Sequence, residues 1–357
     1  MSRAVHLVAV SACTPVGLSA ETTAAAMRAG TTRLALQPQL RDLQGEPIWA
    51  ARSSRLSTSM PLPKRIAVLA TTALAELLDK LSVESPLPDG CVVQLALAEP
   101  RPGLELAQQT TLLGEIAKYG SARASALQVV AASAPATGHA GALAAMAQGA
   151  DRIRKGEAEL CIVGGADSYL ERPSIDWLEA EQHLSRPGRQ GGMMPGEAAS
   201  FVALASEPMR RALQLPALAQ VRGVATTHES RSWSSAEGLL GESLSEAIHS
   251  ATADLHWPED AIHATYGDLN GEQLRRDDWV FASLRTAPLF AHAGDLISPS
   301  PFCGDSGAAS GALACTMAVA SFRRRYALGP RALLLGASWT GLRVACVLED
   351  SGGGCHG

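Results

Sequence analysis

The stretch GHAGALAAMAQGADRIRKGEAELCIVGG, residues 138–165, is the clearest indication of the chain's architecture. Its first part, residues 138–156, is rich in alanine and ends at Gly156, as a closely packed helix with a glycine stop does. Its second part, AELCIVGG (158–165), is an apolar run of strand length. A helix of small residues that leads directly into a buried strand predicts a layered α/β structure.

The same alternation continues in both directions from this stretch. Before residue 207 the predicted strands are 4–10, 91–98, 126–133, 158–165 and 197–206, and the predicted helices are 20–29, 64–81, 104–120 and 138–156. After it the predicted strands are 217–224, 261–267, 331–338 and 341–349, and the predicted helices are 240–254, one starting after Asp277, and 306–325. Because each half has a small-residue helix followed by an apolar strand, we predict a duplication, with halves 1–206 and 207–357.

The composition limits the class of protein. Of the 357 residues, 46% are hydrophobic and 18% charged, which is enough apolar material for a large core. The net charge of −5 and the lack of a long basic run argue against nucleic-acid binding. No run of 18 apolar residues occurs, so we expect no membrane span.

Two smaller features of the composition also carry predictions. The seven cysteines form no CxxC pair, and most lie in apolar runs, which predicts reduced, buried thiols and a cytoplasmic protein. Short basic clusters, Arg323–Arg325 among them, are interpreted as solvated helix faces and ends. The alternative is a docking patch for an acidic partner.

Five stretches, taken together and in order, resemble the β-ketoacyl synthase family and its thiolase-fold relatives. They are SACTPVG (11–17), GEAELCIVGGADSYL (156–170), GGMMPGEAASFVAL (191–204), GDSGAASGAL (304–313) and GASWTGLRVACVL (336–348). The resemblance implies an α/β, thiolase-like five-layer αβαβα fold made of two similar halves. It also implies a two-fold dimer in which strands of the two subunits adjoin.

The resemblance places unexpected residues at the family's Cys-His-His triad. His139 stands at the position of the nucleophilic cysteine, at the start of the small-residue helix. Asp268, with Asn270 beside it, falls near the first catalytic histidine, and Asp305 falls on the second. Each has a purely structural alternative: a hydrogen-bonded helix-start histidine, an Asn-Gly turn, and a helix N-cap.

Two further residues are candidates for the pocket around this triad. Cys303 could be a displaced nucleophile or simply a buried thiol, and Trp339 stands near the phenylalanine that gates the family's acyl pocket. We predict no metal, since the sequence has no close-spaced ligand motif. No resident cofactor is expected, although an acyl-thioester or phosphopantetheine group could be a ligand.

Three functions remain open. A carboxylate cannot donate hydrogen bonds to a thioester oxygen unless it is protonated, so the usual condensation is not expected. The chain could be a non-condensing partner or scaffold, as chain-length factors are, forming a homodimer or a heterodimer with a ketosynthase paralogue. It could instead be an acyltransferase or thioester hydrolase that uses His139 with Asp268 and Asp305. It could also bind an acyl group or an acyl carrier protein without chemistry.

Overall fold

The computed structural model describes residues 3–81, 91–124, 127–132, 137–186, 188, 191–231, 235, 238–291 and 295–352. Its strands are β1 Val5–Cys13, β2 Leu34–Arg41, β3 Pro47–Ala51, β4 Val92–Ala96, β5 Gln128–Ala131, β6 Leu160–Ser168, β7 Glu197–Ser206, β8 Ala219–His228, β9 Ala264–Tyr266, β10 Leu296–Ile297, β11 Arg331–Ala337 and β12 Leu342–Asp350. Its helices are α1 Ala20–Arg28, α2 Leu62–Leu81, α3 Leu106–Arg123, α4 Gly141–Lys155, α5 Arg172–Ala180, α6 Glu207–Ala212, α7 Glu242–Ala251, α8 Gln273–Arg285, α9 Ser300–Cys303 and α10 Ser310–Arg323.

The strand order reveals two copies of one topology. Ten strands are arranged β10-β9-β11-β12-β8-β1-β7-β6-β4-β5. Each half contributes five strands to this sheet, since β2 and β3 form a separate hairpin. When these five strands are numbered in chain order within their half, they lie side by side in the order 3-2-4-5-1 in both halves. In both, the third and fourth strands lie parallel to the second, and the fifth is antiparallel to its two neighbours. The halves meet where β1 pairs with β8 at only two positions, so the sheet is effectively two five-stranded sheets.

Helices cover both faces of the two sheets and give five layers. Helices α2 and α3 pack on the outer face of the first half, and α7 and α8 on the outer face of the second. Helices α4 and α10 lie between the sheets and contact strands of both halves. The predicted thiolase-like α/β architecture is therefore correct.

The small residues of α4 and α10 allow the two central helices to approach closely. A Cβ atom at Gly311 of α10 would lie 2.8 Å from Cγ of Leu143 in α4, closer than real Cβ contacts. Leu143 itself is fully buried. A glycine is therefore required where the helices cross.

The structure corrects several sequence-based boundaries. Helix α8 begins at Gln273 rather than after Asp277, and α10 begins at Ser310 after a 3₁₀ turn, Gly307–Ala309. The β2–β3 hairpin was not predicted, because β2 is largely exposed and has no clear apolar alternation, and β3 is only five residues long. In the described part of the chain, none of the helices is long and apolar enough to cross a membrane.

Candidate functional site

A turn that requires glycine places His139 at the amino end of the central helix α4. The preceding Gly138 has φ +66°, and a Cβ there would lie 2.6 Å from Oε2 of Glu99. Only glycine fits both this backbone conformation and this contact. The turn is tied to the end of β11, because the backbone NH of Ala140 donates to Oγ of Ser338 (3.0 Å).

His139 forms a buried ion pair with Asp305. Its Nε2 lies 2.9 Å from both carboxylate oxygens, and both side chains are only 1% exposed. Oδ1 of Asp305 also accepts from the backbone NH of Gly307 (2.7 Å), which opens the 3₁₀ turn before α10. Asp305 therefore caps a helical turn and binds His139 at the same time.

The electrostatics favour the charged form of both partners. Burial raises the pKa of Asp305, but His139, Arg275 and a hydrogen bond from Asn270 outweigh burial and hold it well below its usual range. Burial likewise lowers the pKa of His139, but the Asp305 carboxylate outweighs it, and the net shift is upward. Both shifts favour the imidazolium form of His139 and the carboxylate form of Asp305.

Asp268 does not join His139 as a second partner. Its Oδ2 accepts from Nη1 of Arg275 (2.6 Å) and from the backbone NH of Ala337 (2.8 Å). It acts on His139 only through its charge, which contributes to the raised pKa. The expected histidine flanked by two carboxylates is, in this structure, a dyad beside a separate Arg–Asp pair.

Asn270 and Glu272 connect the dyad to the rest of the site. The Nδ2 atom of Asn270 donates to Oδ2 of Asp305 (2.5 Å) and to Oε2 of Glu272 (3.0 Å). Glu272 in turn binds Nδ1 of His183 (2.5 Å), Nε1 of Trp339 (3.2 Å) and Arg275. Burial raises the pKa of Glu272, but these partners lower it to about 2, so Glu272 is ionised.

Aromatic rings cover the dyad. The ring of Trp339 meets that of His139 edge-on at a centroid distance of 5.1 Å. The centroid of the Trp339 ring also lies 4.6 Å from that of His183, 5.4 Å from that of Trp177 and 6.3 Å from that of Tyr169. The space beside His139 is therefore filled by tryptophan, and the Trp339 ring is fixed by its bond to Glu272.

Removing this cover should expose His139 to chemical modification. In the native protein we expect diethyl pyrocarbonate to modify His183, which is 17% exposed, and to spare His139. At alkaline pH, where part of His139 is the neutral imidazole that the reagent attacks, modification of His139 in Trp339→Ala should accelerate at least about tenfold, the change that about 1.4 kcal/mol of lost packing produces. Peptide mass mapping measures both sites.

A matched control separates local uncovering from general loosening. Trp49 is 54% exposed on the β2–β3 hairpin, and Trp49→Ala should leave His139 unreactive. Equal reactivity of His139 in the native protein and in Trp339→Ala would show that Trp339 is not its cover.

None of the described cysteines offers a nucleophile. Cys303 is fully buried, its Sγ donates to the carbonyl of Pro299 (3.3 Å), and burial together with Asp305 raises its pKa to about 12. Burial raises the pKa of the other described cysteines too, and all six are free thiols. Cys355 lies outside the described residues. A protonated, hydrogen-bonded thiol does not attack a thioester.

The described ranges contain no group of three or more His, Cys, Asp and Glu side chains that could hold a metal ion. Within the same ranges, Nδ1 of His139 is buried without a hydrogen-bond partner. This nitrogen therefore has unused hydrogen-bonding capacity.

Sequence reasoning missed His183, Glu272 and Arg275. Arg275 and Glu272 follow Asp268 closely, and their spacing of three residues on one helical turn was a usable signal for an ion pair. His183 is 89 residues from Glu272 and carried no such signal.

Comparisons with known proteins agree with this architecture. Residues 104–208 match the model of the β-ketoacyl synthase N-terminal domain. A search of curated protein sequences gave no match. Three solved structures, each under 25% identical, illustrate the likeness in fold.

The first is the complex AntDE:AntF, a type II PKS acyl-carrier protein with its ketosynthase bound to the hexaketide. Its TM-score is 0.80 at 14% identity, covering 98% of this chain and 100% of that one. The second is the ketosynthase from module 6 of the bacillaene synthase of Bacillus subtilis 168, with TM-score 0.78, 12% identity, and coverage of 97% and 72%.

The third is the ketosynthase ApeO in complex with its chain length factor ApeC from Xenorhabdus doucetiae. Its TM-score is 0.75 at 14% identity, with 98% of each chain covered. The repeated strand order and the central helix pair agree with these likenesses: the chain has a thiolase-like fold, which it shares with these ketosynthases.

Proposed function

We propose that this protein is a divergent ketosynthase-like subunit without condensing activity, which serves as a partner or scaffold. The observation that carries the proposal is the buried His139–Asp305 ion pair at the amino end of α4. A condensing enzyme needs a thiolate in that place, where the helix dipole and free amides lower a thiol pKa.

The chemistry of the pair explains why condensation is lost. An imidazolium bonded to a carboxylate has no free lone pair on Nε2 with which to attack an acyl group. Asp305 is bonded to His139, and Asp268 accepts from Arg275 and from the backbone NH of Ala337, so neither carboxyl group is placed to donate a hydrogen bond to a thioester oxygen. Trp339 occupies the remaining space next to His139.

A partner role fits the known assemblies of similar folds. ApeO is a ketosynthase in complex with its chain length factor, and the ishigamide protein is a ketosynthase/chain length factor. We infer a dimer, either with a ketosynthase paralogue or with a second copy, and an acyl carrier protein as a further partner. The sheet-edge strand β5, where Val130 is 40% exposed, is the surface we assign to that dimer. The free, buried cysteines suit a cytoplasmic protein.

The test is incubation of the purified protein with acyl-thioesters and a malonyl thioester. We expect no covalent adduct in the intact mass, no condensation product and no thiol release above buffer. His139→Cys should also fail to condense, because both histidine positions of the triad still hold carboxylates. Condensation by the native protein would overturn the proposal.

The unpartnered Nδ1 of His139 favours a second candidate, acyl transfer or thioester hydrolysis with His139, Asp268 and Asp305. A neutral His139 released from Asp305 could act as a general base. Thiol release by the native protein that disappears in His139→Gln would establish this activity. Saturable binding of an acyl-thioester without release would instead establish the acyl-binding role.

A further inference from the structure

A cavity of about 450 Å³ is lined in part by α10, and none of its lining residues belongs to the His139 site. It opens between β1, α1 and α10. Its floor and walls are the small or apolar residues Val10, Ala20, Ala24, Ala25, Ala29, Val319 and Ala320, with Thr316. The volume is within the range of about 300–1,000 Å³ that is usual for small-molecule sites.

The rim of this cavity is cationic. Arg28, Arg323 and Arg324 line it, and Glu21 is the one acidic lining residue. Glu21 is already compensated, because Lys80 lies 3.1 Å away and Arg323 lies 3.9 Å away. Among the described residues, Arg28 and Arg324 have no carboxylate partner.

Arg28 is held in position by an aromatic ring. Its guanidinium carbon lies 4.0 Å from the centroid of the Tyr326 ring, which orients the group at the cavity mouth. A second cavity of about 200 Å³ shares Ala24, Arg28 and Tyr326 with the first and is otherwise apolar. The Arg28–Tyr326 pair therefore stands between two apolar chambers.

We propose that this site binds a single-chain aliphatic anion. The hydrocarbon chain occupies the apolar cavity along Ala24 and Val319, and the anionic head group pairs with Arg28 and Arg324. A guanidinium fork matches a carboxylate or phosphate with two parallel hydrogen bonds. An apolar chamber with a cationic mouth selects against both neutral chains and cationic ones.

A simpler role for these arginines makes a different prediction. Arg28 and Arg323 end α1 and α10, where cations are favoured by the helix dipole. That role requires no cavity and no ring beneath the guanidinium, and it predicts no dependence of ligand binding on either arginine.

The test uses the full chain and calorimetry with dodecanoate and dodecyl phosphate, below their micelle concentrations. We expect saturable binding of at least one of them at one site per chain, and none of dodecanol or dodecyltrimethylammonium. Arg28→Gln and Arg324→Gln should each weaken binding by about tenfold. The two anions distinguish a carboxylate head from a phosphate head.

Two further variants make the result decisive. Ala320→Phe fills the cavity from a partly exposed position and should abolish binding while the circular dichroism spectrum is unchanged. Arg325→Gln is the matched control, since Arg325 is adjacent and exposed but lines neither cavity. Binding of neither anion, equal loss in Arg325→Gln, or native affinity in Ala320→Phe would overturn the proposal.

Discussion

Replacing Arg275 with methionine should lower the free energy of unfolding by about 3–5 kcal/mol, the usual cost of leaving buried charges unpaired. Arg275 is only 2% exposed. Its guanidinium binds Asp268 (2.6 Å), Glu272 (3.2 Å) and the carbonyl of Ala337. Without it, two buried carboxylates lose their shared cation.

Urea unfolding at neutral pH measures this loss. The neighbouring Arg276→Met is the control, because the Arg276 side chain is 62% exposed and, among the residues that the structure describes, its ion-pair partner is Asp277 at 3.3 Å. Exposed ion pairs are worth about 0–1 kcal/mol, so we expect little change there. Asp268→Asn combined with Arg275→Met should recover part of the loss, because one unpaired charge is removed. A native-like stability of Arg275→Met would show that the buried network does not need its cation.

The sequence was a good guide to the layers of the fold. The alanine-rich helix before Gly156 and the apolar strand after it both appear, because close helix–sheet packing requires small residues and apolar strands wherever it occurs. The duplication is visible in the sequence only as similar patterns, whereas the sheet order shows it directly.

The site was only partly predictable. Alignment to the family brought His139 and Asp305 together, although they are 166 residues apart. It could not show that Asp268 would turn to Arg275, because an ion pair seven residues along the chain depends on how α8 packs against the end of β11. Long-range contacts such as His183 with Glu272 follow from packing and leave no local pattern.

Replacing Asp305 with asparagine should reverse the pH dependence that His139 gives to stability. In the native protein the pKa of His139 is raised above its ordinary value. Its contribution is therefore fully present below about pH 6.5 and is lost as pH rises through the folded-state pKa. The lowered pKa of Asp305 adds stability that is present above its unfolded pKa and is lost as pH falls toward the folded value.

In Asp305→Asn, burial dominates and His139 becomes neutral in the folded state, so stability should rise as pH increases through about 6.5. At acidic to neutral pH the variant should also be less stable by about 3–5 kcal/mol, because folding must then either remove the proton from His139 or bury its imidazolium without a partner. Unfolding by urea between about pH 5.5 and pH 8.5 measures both effects.

The double variant His139→Gln/Asp305→Asn separates the effect of the buried charge from the effect of changing the side chains. With both charges gone it should be more stable than Asp305→Asn and should lack the pH slope that His139 contributes, because that imidazole has been removed. Asp151→Asn, which breaks the exposed Asp151–Lys155 pair, is the surface control and should change stability by about 0–1 kcal/mol. If Asp305→Asn keeps the slope of the native protein, His139 is not the titrating group. The proposal that a charged His139–Asp305 pair has replaced the thiolate of a condensing enzyme at the start of α4 would then lose its support.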